Sequence, residues 1–189
     1  MHALSQQYGD GQHIPDWEQE HAFFTNWCSD PDVGEEWQQV GEVLRALPQP
    51  HDAFGLIHND PHAGNFLIDG DSLTVLDFDV CTHHWFALDL AIAVFHPSWE
   101  KRYGEPQAVR AFGRHFWDRF VAGYTRENRL DGFWLAQLPT FMNYRRILFF
   151  IALAGQGGKP HSWVRRQLTD LRKAILADQP AIGFDLTAP

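Results

Sequence analysis

The chain has 189 residues, 44% of them apolar and 14% aromatic, with Trp 8 and Phe 15. That is enough for one domain with a real core and excludes a disordered or low-complexity segment. A net charge of −9 argues against nucleic acid as a partner.

Residues 1–14 are polar and without period, and read as a connector. A helix is predicted from Asp16 to Ser29, with Pro15 suited to a first-turn position and Trp17, Phe23, Phe24 and Trp27 as its apolar set. A second is predicted from Val33 to Leu47, ended by Pro48-Gln49-Pro50. The period then changes. Phe54 to His58 reads as a short strand, and Asn65 to Asp69 and Leu73 to Asp77 read as a hairpin turning at Gly70-Asp71. From Trp85 onward the chain is predicted helical. One stripe (Leu88, Ala91, Ile92, Phe95) ends at Pro97, and another runs from Val109 to Tyr124. Phe133 to Ala154 is apolar nearly all round and is the predicted central helix, with Pro139 kinking it or marking its start. Gly155 to Pro160 is a break before a last amphipathic helix, Trp163 to Ala177. No stretch is long and apolar enough for a bilayer span, and the first residues lack the features of a signal peptide. Cys28 and Cys81 form no disulfide framework and fit reduced thiols. A cytoplasmic location is the expectation.

Between Ala46 and Glu100 there is no Lys or Arg, yet the stretch holds Asp52, Asp60, Asp69, Asp71, Asp77, Asp79, Asp89 and Glu100. Those that are not solvated turn residues need a counter-charge: a divalent cation, a cationic substrate, or basic groups from elsewhere in the fold. Within this stretch lie His58-Asn59-Asp60-Pro61-His62-Ala63-Gly64-Asn65 and Leu76-Asp77-Phe78-Asp79. An Asp five residues before an Asn, then an Asp past a hairpin, suits phosphoryl transfer. Asp60 can orient an attacking hydroxyl, while Asn65 and Asp77 hold Mg²⁺ against nucleotide phosphates. Asp89 is placed to accept backbone N–H groups of the loop.

These residues resemble the aminoglycoside phosphotransferase and choline kinase superfamily, with its H-x-D-x-x-x-x-N pattern followed by a metal-binding aspartate. Phe54 to His58, Gly64 to Leu67, Asp77 to Asp79, and Trp85-Phe86 with Asp89-Leu90-Ala91 are similar to the catalytic lobe of that superfamily. The likeness is greatest to the branch of stress-response kinases and type II homoserine kinases. Gly123-Tyr124, Leu138-Pro139 and Arg145-Arg146 extend it. The resemblance implies an α+β, mostly helical fold: the C-terminal catalytic lobe of a protein-kinase-like protein with a small β-hairpin at the active site. It implies ATP as co-substrate, Mg²⁺, and a small-molecule hydroxyl acceptor, expected to be amino-bearing. Asp60 then corresponds to the catalytic base, Asn65 and Asp77 to metal ligands, His58 and Asp89 to supports of the loop, and His62 and Asp79 to positions behind the metal ligands or facing the substrate. Asn59 departs from the commoner Gly, and Val80 stands where the nearest branch often has an acid. Full members carry a first lobe with a nucleotide-covering loop and a phosphate-binding Lys. Residues 1–14 are accordingly expected to be the connector remnant between lobes and 15–189 a single lobe.

Other readings stay open at this point. His58, Asp60, His62, Asp77, His83 and His84 could form a transition-metal cluster of a hydrolase. Trp85, just past the hairpin, could face a cationic substrate. Arg145 and Arg146 could pair with the acidic stretch or cap a helix. A lobe without its partner could also be a non-catalytic interaction module, forming a homodimer or seating a partner chain on the face the first lobe would cover.

Overall fold

The structure, a computed structural model, describes residues 1–6, 14–157 and 160–186. The middle of the predicted connector and the Gly158-Lys159 part of the predicted break lie outside the described residues. The fold is mostly helical, with two small antiparallel strand pairs.

A single helical turn, α1 (His2–Ser5), packs on the first strand. Helix α2 (Trp17–Trp27) begins at Asp16, whose carboxylate caps the Gln19 amide while the Gln19 side chain returns to the Asp16 amide. Pro15 is therefore outside the helix rather than in its first turn. Its carbonyl instead accepts from the His83 amide at 2.9 Å and the Thr82 hydroxyl at 2.8 Å. Helix α3 (Pro31–Arg45) has Asp30 as N-cap and Pro31 in its first turn. Asp30 also pairs with Arg172, which ties the start of α3 to the last helix.

Strand β1 (Phe54–Ile57) pairs antiparallel with β4 (Thr82–Trp85), with Phe54 opposite Trp85 and Ile57 opposite Thr82. Between them β2 (Phe66–Asp69) and β3 (Ser72–Val75) form the expected hairpin, and Gly70 takes φ 57 at its turn. Strand β4 stands where no strand was predicted. Its sequence, Thr-His-His-Trp, carries little β signal apart from its ends, and pairing with β1 overrides that weak preference.

Helix α4 (Phe86–Glu100) continues past Pro97, which sits in its last turn, and so does not stop there. Helix α5 (Pro106–Tyr124) follows. The central helix α6 (Gly132–Gly155) is capped by Asp131 and runs through Pro139, so Pro139 does not mark its start. Helix α7 (Ser162–Leu176) closes the domain. Helices α4 and α6 pack against each other in the middle, with α2 and α3 against α6, α5 against α4, and α7 against both α3 and α6. Trp37, Trp85, Phe95, Phe141 and Tyr144 are fully buried there. Among the described residues no helix is long and apolar enough to cross a membrane.

Candidate active site

The loop from His58 to Asn65 leaves β1 and returns into β2, so both of its ends are anchored in strands. Asp89, in the first turn of α4 and only 4% exposed, fixes its start. One carboxylate oxygen accepts the Asn59 amide at 2.8 Å, and the other accepts the His58 amide at 3.0 Å. That second oxygen also lies 2.9 Å from Nε2 of buried His2, whose Nδ1 meets the Tyr124 hydroxyl at 3.0 Å and whose ring stacks on Phe86. A residue of the predicted connector thus supplies a buried hydrogen-bond partner for the acidic stretch. Nothing in the sequence near His2 signals it.

His58 is fully buried. Its Nδ1 accepts the Asp60 amide at 3.3 Å, which leaves Nε2 to donate to the Leu76 carbonyl at 2.8 Å. The imidazole therefore joins the loop to the end of the hairpin, one residue before Asp77. The Leu76 amide bonds in turn to the Asn65 carbonyl at 2.9 Å, so the backbones carrying Asn65 and Asp77 run side by side. Asn65 turns its amide nitrogen back to the Asp60 carbonyl at 2.8 Å, which leaves its amide oxygen for another partner.

Asn59 and Asp77 both sit in the left-handed region, with φ 68 and φ 62. Asn and Asp tolerate it better than other non-glycine residues, and such positions concentrate at functional sites. Asn59 uses the side chain that Gly would lack. Its amide nitrogen donates to the Glu20 carboxylate on α2 and, at 3.2 Å, to the Val80 carbonyl beside Asp79. Tyr144 donates to the other Glu20 oxygen at 2.8 Å. Burial raises the pKa of this carboxyl, against the lowering effect of the Tyr144 and Asn59 hydrogen bonds.

Asp60 is the focus. Arg145 of α6, 8% exposed, pairs with one carboxylate oxygen and donates to the Asn59 carbonyl at 3.3 Å. The Arg145 Nε–H donates to His96 at 3.1 Å, and burial, with help from Arg145 and His62, pushes the His96 pKa down to about 2. A neutral imidazole is the acceptor that such a contact requires. The other Asp60 oxygen faces His62 Nε2 and the Asn65 amide, each at 3.4 Å. The His62 ring is held by the Gly64 amide on Nδ1 at 3.0 Å, and a Cβ on Gly64 would come within 2.7 Å of that ring.

Asp77 and Asp79 are both exposed beyond the hairpin. Their carboxylates lie together, and the hydrogen bond and charge of Asp77 raise the Asp79 pKa. Two acidic groups side by side, with the Asn65 backbone bonded to Leu76 next to them, suit a divalent cation that prefers oxygen ligands. The hydrolase cluster is not assembled. Among the described residues no group of three His, Cys, Asp or Glu is placed to hold a metal ion, and His84 is enclosed by Trp17, Trp85, Phe141 and Tyr144. Trp85 is not a substrate-facing residue. It has 0% exposure, and its indole N–H donates to the Pro48 carbonyl at 2.7 Å. Of the two arginines, Arg145 joins the acidic stretch, while Arg146 turns to the Gln179 carbonyl and the Asn143 side chain.

Residues 1–133 match the sequence profile of the phosphotransferase enzyme family. Amicoumacin kinase of Bacillus subtilis (strain 168) is 31% identical over an alignment covering 100% of this chain and 58% of that protein. A solved structure of amicoumacin kinase hAmiN, in complex with AMP-PNP, Ca²⁺ and Ami, superposes with a TM-score of 0.85 at 27% identity, covering 98% of this chain and 57% of that one. The microcompartment-associated aminopropanol kinase shares the fold, with a TM-score of 0.70 at 21% identity over 97% of this chain and 61% of that one. The chain thus spans about three fifths of the length of each relative. On the match over its first 133 residues and on the full-length likeness to a curated kinase, the chain belongs to the APH phosphotransferase family.

Proposed function

We propose that the chain is the catalytic lobe of an ATP-dependent kinase that phosphorylates a hydroxyl of a small, amino-bearing molecule. The observation that carries this is the loop itself: Asp60 beside Asn65, Asp77 at the adjoining strand end, and Asp89 bracing the loop from below. Residues 1–14 would be the connector to a first lobe and 15–189 the lobe proper. Asp60 has one oxygen committed to Arg145, so its other oxygen is the one that would receive the acceptor hydroxyl and aim it. His62, next to that oxygen, would line the acceptor side. A divalent cation held by Asn65 and Asp77, with Asp79 beside it, would supply charge neutralisation for the nucleotide phosphates. Mg²⁺ is the ion we assign. A small apolar cleft of about 150 Å³, lined by Met1, Leu4, Leu56, Ile57, Phe78 and Cys81, suits the flat base of the nucleotide. An amino-bearing acceptor is supported by the net charge of −9 and by the acidic stretch around the loop.

Asp60→Ala, made in a protein carrying the first lobe, is expected to abolish turnover while nucleotide binding stays largely intact. Turnover at the normal rate would remove Asp60 from this role. Removal of a positioned base costs about 10²–10⁴-fold in rate.

A second reading has its own observation. Leu67, Ile68, Leu73, Phe78 and Val80 are exposed large apolar residues on the hairpin and the turn after it. Such a surface would seat another lobe, a second copy of this chain, or a partner, and a lone lobe could serve as a non-catalytic module. A melting scan with millimolar Mg-ATP separates the two. A rise in Tm is expected for the kinase, since a ligand bound only by the folded state stabilises it. An unchanged Tm would favour the module.

A further inference from the structure

Arg146 is 2% exposed, yet no carboxylate among the described residues pairs with it. Its Nη atoms donate to two neutral oxygens, of Gln179 and Asn143, and its buried Nε has no partner. Asp178 and Glu36 act on it only through charge, without an ion pair, and burial pulls its pKa below the ordinary value. A buried cation without an anion in contact is costly. Beside it, a groove of about 430 Å³ opens between the end of α4, the start of α5, α7, and residues 179–184, which cross over the surface as a strap.

Arg146 forms part of the groove wall, and Arg102, Arg110 and Lys173 supply three further cations against a single carboxylate, Asp170. Asp170 is already engaged, lying 3.9 Å from Arg102. Arg110 and Lys173 are exposed and have no ionic partner among the described residues. Four positive groups against one negative make a basic hollow in a chain whose net charge is −9. Trp99, Val109, Ile182 and Phe184 give the same wall an apolar stretch. The hollow is preformed rather than loose. Phe184 of the strap sits where a Cβ on Gly113 would come within 2.2 Å, and the Trp117 indole N–H donates to the Leu186 carbonyl at 3.1 Å. None of its residues belongs to the Asp60 loop.

We propose that this groove is a second ligand site, distinct from the Asp60 site, and that it takes a small molecule bearing an oxyanion, phosphate or carboxylate, on an apolar body. The anion would rest among Arg110, Lys173 and Arg146, and the body would lie along Trp99 and Phe184. Arg145 and Arg146 are consecutive in α6 but serve different sites, the first facing Asp60 and the second this groove.

The test is titration calorimetry of the full chain with inorganic phosphate and, separately, with citrate, at one ionic strength held with NaCl. Saturable binding is expected for at least one of them. The double variant Arg110→Gln/Lys173→Gln changes only exposed side chains and should weaken that binding at least fivefold, while Lys101→Gln, on the exposed end of α4, leaves it unchanged. Tighter phosphate binding would assign a phosphorylated ligand, and tighter citrate binding a carboxylate. Absence of binding by either anion, or equal affinity in the double variant, overturns the proposal. Because the double variant leaves the Asp60 loop intact, anion binding there would show as an affinity that the substitutions do not change.

Discussion

Asp89→Ala is expected to destabilise the fold by about 3–5 kcal/mol, as the loss of one member of a buried charged network does. Three groups depend on this carboxylate: the His58 and Asn59 amides and the His2 imidazole. Alanine would leave all three facing a dry space with no acceptor. Asp89→Asn should cost less, since one oxygen remains to accept, but its new N–H₂ would face at least one existing donor. Urea unfolding measures both. The slope with denaturant should stay near that of the parent, because the extent of the core does not change. A loss under about 1 kcal/mol for Asp89→Ala would mean that the amides find other partners and that the loop is not held from α4.

Acid should weaken the protein well before its exposed carboxylates become protonated. Burial lowers the pKa of His84 to about 3 and is the main cause that lowers that of His96 to about 2, from 6.5 in an unconstrained chain. Above 6.5 neither the folded nor the unfolded chain protonates these rings, and stability is at its full value. Below 6.5 the unfolded chain takes up protons that the folded one refuses, so stability falls continuously until the folded pKa values are reached. Each ring contributes about 1.4 kcal/mol per pH unit in that window. Glu20 works the other way: its raised pKa lets the folded state bind a proton first, which adds stability as pH falls through that value toward 4.5. The net expectation is a loss of about 1–3 kcal/mol per unit below pH 6.5. His84→Phe should flatten the slope by the share of one ring, whatever constant offset follows from depriving the Trp85 amide of its 2.9 Å acceptor. An unchanged slope in that variant would mean that His84 is protonated within the folded protein.

The helices, the hairpin and the spacing of Asp60, Asn65 and Asp77 could be read from the chain because each is a local pattern. The apolar periods mark α2 to α7, Gly70-Asp71 marks a turn, and the loop motif lies within eight residues. The rest depends on residues distant in sequence. Arg145 gave one usable hint, one of two adjacent charges inside a helix otherwise apolar nearly all round, but a helix of that kind has no solvent face from which to read where a charge points. His2 lies in a stretch with no period at all. Glu20 is one of two acids in the first turn of α2, with nothing local to set it apart, and its role shows only once α6 brings Tyr144 against it. The same reasoning explains Trp85. Its position after the hairpin suggested exposure, but the β1–β4 ladder, absent from the local pattern, turns it into the core. Pro15 and Pro97 misled for a related reason, since a proline constrains the backbone near it without fixing which side of a helix boundary it occupies.

Three consecutive loop residues, 58–60, are clasped from three remote places, Asp89, Arg145 and Glu20. The contacts bridge 85 positions from Asp60 to Arg145, 39 from Asn59 to Glu20 and 31 from His58 to Asp89, which His2 grips in turn across 87. Contacts of such long sequence separation are slow to form, because chain entropy is lost before they contribute. The helices can assemble on their own local patterns while this loop waits for α2, α4 and α6 to come together. The final geometry of this loop is therefore expected to form later than the helical content as the chain folds.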